Sequence, residues 1–107
     1  MLLFAPFSCY GHPMNYESIV FRESAYWHKL TKDNILHAFM NPYYDGPLDE
    51  SNTNNRYIRI GYDKAGNLLE IMYNEYEDCI CIFHAMKCRP IHFHLLLDLG
   101  GSYGNAD

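Results

Sequence analysis

The sequence has little positive charge for a protein that would coat nucleic acid. Eight lysines and arginines stand against thirteen aspartates and glutamates, which gives a net charge of −5. Phosphate binding normally shows as a basic excess, so bulk electrostatic attraction to nucleic acid is excluded. A local basic patch remains compatible with this balance. The cations that fall on or beside predicted neighbouring strands are Arg56, Arg59, Lys87 and Arg89.

Several motifs with specific chemistry are missing as well. The sequence has no phosphate-binding glycine loop, no serine-centred nucleophile motif, no CxxC and no HxxxH. His92 and His94 could chelate a metal together with His84 if they lay on one strand face, but on a helix they point apart. Asp45, Asp49 and Glu50 could be imagined as paired catalytic carboxylates, but they fall in a polar segment with nothing hydrophobic beside them, so they are expected to be solvated in a loop. We therefore predict no metal and no cofactor.

Long hydrophobic runs are also absent. The apolar segment 1–9 is short, is broken by Pro6 and has no basic residue before it, so it fits neither a signal peptide nor a membrane span. Two of the four cysteines, Cys79 and Cys81, are two apart in a predicted strand, at roughly 6.5–7 Å, the outer limit for a disulfide. Free thiols without a leader predict a cytoplasmic protein with no membrane partner.

The sequence does have enough apolar material for one core. Its 107 residues are 49% hydrophobic and 16% aromatic, as expected for a single packed domain. We predict an irregular N-terminal extension over 1–15, one domain over 16–99 and a flexible tail over 100–107.

Hydrophobic periodicity predicts the elements of this domain. Segment 35–40 repeats apolar residues at helical spacing, with Thr31 or Asp33 as N-cap and Asn41-Pro42 as the stop. A long polar loop is predicted over 43–55. Strands follow at 56–62, 68–73 and 79–86, the first two joined by a turn at 63–67.

The two ends of the domain leave alternatives open. Segment 18–21 is either an edge strand or the lead into the helical turns at 23–27, and the segment after Pro90 is either a helix or a fourth strand. The predicted fold class is α+β. In this fold, N-terminal helices pack on a small antiparallel meander of three to four strands, with a short C-terminal helix.

Strand alternation suggests where chemistry lies. Strict alternation places Ile80, Ile82, His84 and Met86 on one face of the third strand, so His84 emerges from an apolar row near the strand end. It is either a core histidine with one satisfied ring nitrogen or an active-site group. Lys87 and Arg89 follow, and Arg56 or Arg59 could converge on them to hold a phosphate. The alternative is that these cations are ordinary solvated residues.

Three segments carry a resemblance to a known family. They are the arginine-led hairpin 56–71, the segment Ile82-Phe-His-Ala-Met-Lys-Cys-Arg-Pro90, and the helix end Leu36-His-Ala-Phe-Met-Asn-Pro42. Over about residues 19–91 the chain resembles the BrnT-type toxins of bacterial toxin–antitoxin pairs. The resemblance implies a fold similar to the RelE-type ribonucleases. It also implies a metal-independent endoribonuclease that blocks translation by cutting RNA, such as mRNA on the ribosome, and that a cognate antitoxin neutralises.

The resemblance also assigns roles to residues. It implies that Arg89 and Lys87 stabilise charge, that Arg56 positions the phosphate and that His84 moves protons. Arg59, Lys29 and His28 are assigned to RNA binding, the last two at the place of the family's Lys-His-Gly segment. The apolar last segment is expected to bind the antitoxin or a second copy of the chain. The alternative function, suggested by the acidic balance and the many aromatic residues, is a noncatalytic protein-interaction module on the same fold.

Overall fold

The structure is a computed structural model that describes residues 18–99. The predicted extension 1–15 and tail 100–107 lie outside these residues. The strands are β1 (Ile19–Phe21), β2 (Pro42–Pro47), β3 (Tyr57–Tyr62), β4 (Leu68–Glu75) and β5 (Ile80–Lys87). The α-helices are α1 (Lys32–Met40) and α2 (Phe93–Leu99), and two 3-10 helices cover Glu23–Tyr26 and Pro90–His92. None of the helices in residues 18–99 is long and apolar enough to cross a membrane.

The five strands form one mixed sheet in the order β1-β5-β4-β3-β2. Neighbouring strands from β2 to β5 are antiparallel, whereas β1 runs parallel to β5, with Ile19 opposite Ile80. The predicted architecture of N-terminal helices on a three- to four-stranded antiparallel meander is therefore wrong. The fold is α+β, but the sheet has two further edge strands, and one of them is parallel.

The first part of the predicted loop is the edge strand β2. It pairs with β3 from Pro42 to Pro47, with a register shift between Pro42 and Tyr44. Prolines are tolerated here because an edge strand has only one neighbour to which its amides must donate. The composition of Pro42–Pro47 therefore resembled that of a loop, although long-range pairing makes it a strand.

Helix α1 covers one face of the sheet. Thr31 caps its start by accepting a hydrogen bond from the Asn34 amide, and Asn41-Pro42 ends it, which confirms the predicted helix. Ile35 and Phe39 are completely buried. The sheet residues in the same core cluster are Ile19, Tyr57, Leu69, Ile71, Tyr73, Ile80, Ile82 and Ala85.

A β-bulge in β5 changes which residues share a face. The register shifts between Met72, which pairs with His84, and Tyr73, which pairs with Ile82, so Phe83 is the extra residue. As a result Ile82 points to the α1 face and His84 to the opposite face. The predicted row of Ile80, Ile82, His84 and Met86 on one face is wrong, because a bulge breaks the alternation between its second and third members.

The chain after β5 returns to the sheet face opposite α1. Arg89 and His92 contact Glu70 on this face, and α2 then reaches β2. Ile58 and Ile60, which alternate with the α1-facing residues of β3, are also buried. This second face carries the cluster of polar side chains around Glu70.

Candidate acid–base site around Glu70

A buried carboxylate lies at the centre of the second face. The Glu70 side chain is fully buried (0% exposed) on β4. Its oxygens accept hydrogen bonds from the Arg89 guanidinium (Nη2 at 2.6 Å, Nε at 3.1 Å), from the Arg89 backbone amide at 2.9 Å and from His84 Nε2 at 2.9 Å. A charged group out of water is stable only when it is paired and hydrogen-bonded in this way.

Local chain geometry brings these partners together. Glu70 lies opposite Met86. Beyond the bulge, His84 is therefore a diagonal neighbour of Glu70 on the same face of the sheet, at a separation that a long side chain can bridge. Arg89 precedes Pro90, which favours the extended conformation seen there (φ −84°, ψ 148°). That conformation turns both the amide and the side chain of Arg89 toward Glu70.

The hydrogen bonds keep the Glu70 carboxyl group ionised. Burial alone would raise the pKa of Glu70, but the hydrogen bonds from His84 and Arg89 outweigh burial and lower this pKa to about 2. The pKa of Arg89 is raised by the same contact. Because an ionised carboxylate can only accept, His84 Nε2 carries the hydrogen and His84 Nδ1 is left as the proton acceptor of the neutral ring.

A second and a third imidazole adjoin this pair. The His28 ring lies edge-on to the His84 ring, with centroids 5.5 Å apart. His92 Nε2 is 3.6 Å from Glu70 Oε1, and burial lowers the pKa of His92 despite that carboxylate. His28 reaches the site because the preceding 3-10 helix is tied to β5, where Ser24 Oγ donates to the Phe83 carbonyl.

The arrangement provides the groups for proton transfer next to a fixed cation. His84 is 21% exposed and Arg89 44% exposed, so both are accessible from solvent although Glu70 is not. Arg89 Nη1 donates no hydrogen bond within residues 18–99. Cys88 does not supply a thiolate nucleophile, because burial and then Glu70 raise its pKa. In the described part of the chain, no three His, Cys, Asp or Glu side chains are arranged to hold a metal ion.

Three of the residues predicted from sequence meet at this site: His84, Arg89 and His28. Lys87, also predicted, is exposed, but it pairs with Leu69, whose side chain belongs to the core cluster, and so it points to the α1 face. Lys29 follows His28 with a left-handed backbone (φ 66°) and is exposed.

The other two predicted arginines lie elsewhere and are paired. Arg56 Nη2 is 2.7 Å from Asp49, and both side chains are about two-fifths exposed (41% and 40%). Tyr57 pairs with Tyr73, so the preceding Arg56 is level with Asn74 of β4. Asn74 is four residues from Glu70, which is roughly 13 Å along the strand.

Arg59 is buried under α1. Its Nε donates to Asp45, its Nη1 donates to the Phe39 carbonyl, and its guanidinium stacks on the Phe39 ring at 4.1 Å. The sequence predicted that Asp45 would be solvated in a loop; it is instead half-buried, where it also accepts from Tyr73. Arg59 thus stabilises the fold and does not present its charge to a ligand.

Sequence reasoning missed Glu70 and assigned His92 only to a metal alternative. Glu70 was detectable as a lone carboxylate between Leu69 and Ile71, because such a residue on a central strand needs buried partners. His92 gave no comparable signal, since its approach depends on how the chain bends after β5.

Fold and site together define a small α+β protein with a mixed five-stranded sheet and a buried carboxylate that orients an imidazole and a guanidinium. Comparison with protein-family models, with curated proteins and with solved structures gave no match.

Proposed function

We propose that this protein is an endoribonuclease of the toxin type, which cleaves RNA in the cytoplasm without a metal ion and is held inactive by a cognate antitoxin. The observation that supports this most is the contact of one buried carboxylate, Glu70, with both His84 and Arg89. A proton acceptor and a fixed cation on one accessible surface are what cleavage by the RNA's own 2′-hydroxyl requires.

In this reaction His84 is the base. Its Nδ1 takes the proton of the 2′-hydroxyl while Glu70 holds the Nε2–H tautomer, as a carboxylate does for histidine in hydrolytic triads. The 2′-oxygen attacks the adjacent phosphorus, the bond from phosphorus to the 5′-oxygen breaks, and a protonated His28 gives its proton to the leaving oxygen. Arg89 stabilises the charge on the pentavalent phosphorus. The products carry a 2′,3′-cyclic phosphate and a 5′-hydroxyl.

The test is cleavage of an RNA oligonucleotide by purified protein, with growth of expressing bacteria followed in parallel. His84→Ala and Arg89→Ala are each expected to slow cleavage by about 10²-fold or more, the usual contribution of a positioned acid or base or of a transition-state charge partner. His94→Ala and Arg22→Ala are the matched controls, because neither side chain contacts Glu70. Substrate with a 2′-deoxyribose at the scissile position should remain intact.

For Arg56→Ala, the family resemblance and the structure predict different cleavage rates. The resemblance assigns phosphate positioning to Arg56 and predicts slower cleavage. The pairing of Arg56 with Asp49, away from Glu70, predicts near-wild-type cleavage. Unchanged cleavage by His84→Ala and Arg89→Ala together would refute the proposed chemistry.

A noncatalytic interaction module is the second candidate. It is favoured by the paired state of Arg56, Arg59 and Arg89, which leaves these arginines little unneutralised charge for RNA, and by exposed apolar side chains after β5. Ile91 and Leu97 are 66% and 70% exposed. Tight binding of a partner protein that survives Arg89→Ala, together with no RNA cleavage by the wild type, would favour this candidate.

A further inference from the structure

Lysines and arginines are used differently in this chain. Three of the four arginines have a carboxylate within 4.0 Å, whereas among the described residues no carboxylate lies that close to any of the four lysines. Against a net charge of −5, unneutralised lysines are therefore the main source of positive surface. Where they converge is where an anion would bind.

Two of these lysines share a concave surface between α1 and the β3–β4 turn. A cavity of about 380 Å³ is lined by Lys32, Lys64, His37, Asp33 and Leu36. Two lysines and a single carboxylate are among the lining residues, so the local charge is positive, and Lys32 Nζ also lies over the Phe21 ring, 5.4 Å from its centroid. The size is within the roughly 300–1,000 Å³ of small-molecule sites and accommodates a nucleotide.

This cavity lies at the same end of the sheet as the Glu70 site but on the other face. Lys64 is in the turn that leads into β4, and Lys87 pairs with Leu69 at the start of β4, so both emerge at this end. Lys87 points to the α1 face, whereas Arg89 two residues later turns to the opposite face. Beyond the Glu70 site, where Arg89 is paired, Lys87 and Lys64 therefore extend the positive charge at this end of the sheet toward the cavity.

We propose that the cavity between α1 and the β3–β4 turn binds a backbone phosphate of the RNA whose scissile phosphate lies at the Glu70 site. Lys32 and Lys64 contact the phosphate, and Leu36 provides apolar contact for the sugar or base. This inference rests on the proposed function and makes a single strand that extends beyond the cut, rather than a mononucleotide, the preferred ligand. Basic grooves that track the backbone are typical of single-strand binding.

The experiment measures binding without cleavage. The probe is a single-stranded RNA oligonucleotide with 2′-O-methyl riboses, which lacks the attacking hydroxyl, and binding is followed by fluorescence anisotropy at several salt concentrations. Lys32→Gln with Lys64→Gln should weaken binding about tenfold, since each exposed ionic contact contributes up to about fivefold. The slope of log affinity against log salt should fall by about 0.7 for each lysine removed.

Two control variants define specificity. Arg22→Gln removes one positive charge beside β1, from a side chain that donates to Cys81 and does not line the cavity, and should leave the slope unchanged. Asp33→Asn removes the one acidic side chain of the cavity and should tighten binding. The single variant Lys64→Gln should also bind more weakly. Because Lys64 is exposed in a turn, this weaker binding cannot be attributed to unfolding.

The outcomes separate this inference from the proposed ribonuclease activity. Equal affinities and slopes for the wild type and the double variant, or no binding of the probe by the wild type, would overturn the cavity as a phosphate site even if cleavage is observed. Weaker binding by the double variant supports the cavity even if His84→Ala shows that no cleavage depends on the Glu70 site.

Discussion

Replacement of Arg89 by methionine tests how the buried charge is held. The substitution keeps an unbranched apolar stem but removes the guanidinium that contacts both oxygens of Glu70. Glu70 then keeps only two donors, the backbone amide of residue 89 and His84. A carboxylate that loses its partner while it stays buried is strongly destabilising.

The expected loss follows from the pKa of Glu70. A fall from 4.5 to about 2 corresponds to about 3 kcal/mol of net stabilisation of the ionised form, shared among all donors. The Arg89 side chain supplies two of the four donor groups and is 44% exposed, so solvent compensates for part of its loss. We expect Arg89→Met to lower the free energy of unfolding by about 2 kcal/mol at neutral pH.

The stability difference between the wild type and Arg89→Met should depend on pH. Without Arg89, burial dominates and the pKa of Glu70 rises, so the variant is least disadvantaged when the carboxyl is protonated. The difference in stability from the wild type should be largest at neutral pH and should close as the pH falls from about 4.5 toward about 2.

The assay is urea unfolding followed by circular dichroism at neutral pH and at pH values down to the acid limit of folding. Arg56→Met is the matched control, because its side chain is as exposed as that of Arg89 (41% against 44%) but its partner Asp49 is solvent-accessible. The control should cost less than about 1 kcal/mol. Equal losses for the two variants, or a loss for Arg89→Met that does not change with pH, would refute the reasoning.

Three further outcomes are expected. Gly61→Ala should destabilise by about 1–3 kcal/mol in urea unfolding, because a Cβ would lie 2.5 Å from the Ala38 carbonyl oxygen; wild-type stability would contradict this packing. Arg59→Leu should cost about 3 kcal/mol or more, since it removes the cation paired with Asp45, which keeps only its bond from Tyr73, and leaves the Phe39 carbonyl without this donor; a loss under 1 kcal/mol would show that this pair is not structural. In the wild type the lowered pKa of Glu70 contributes stability that is lost as the pH falls from about 4.5 to about 2. Glu70→Gln should remove this loss, so its free energy of unfolding should change less with pH over that range. Parallel curves for the wild type and the variant would contradict the assignment.

The predictable part of the fold is the part with a strong local pattern. Helix α1, the strands β3 to β5 and the turn between β3 and β4 were found within a few residues, because periodicity, a cap and turn residues agree there. Strand β2 was missed because its prolines and glycine suggest a loop and its pairing with β3 is long-range. The parallel pairing of β1 with β5 leaves no local signal in a three-residue segment.

The candidate site was predictable only as far as alternation holds. His84 and Arg89 were identified, but the bulge at Phe83 is not encoded in the hydrophobic pattern, and without it His84 and Glu70 cannot be placed on one face. Convergence of Arg56 and Arg59 on the site was expected from their strand alone. Nearby carboxylates on β2 and the following turn bind both arginines instead, and charge counts along a sequence do not reveal such pairing.

The pairing of Arg89 with Glu70 has a consequence for how an acidic protein could act on RNA. A lone exposed arginine would attract phosphate but would move; Glu70 fixes the guanidinium through Nε and Nη2 and offsets part of its charge. The positive charge that attracts RNA must then come largely from the lysines at the sheet end. Binding should therefore depend steeply on salt through the lysines, whereas the chemical step should depend on the His84 side chain. Arg89→Ala should therefore reduce the slope of log affinity against log salt less than Lys64→Gln does. Equal reductions would show that Arg89 acts as a free cation and that Glu70 does not offset its charge.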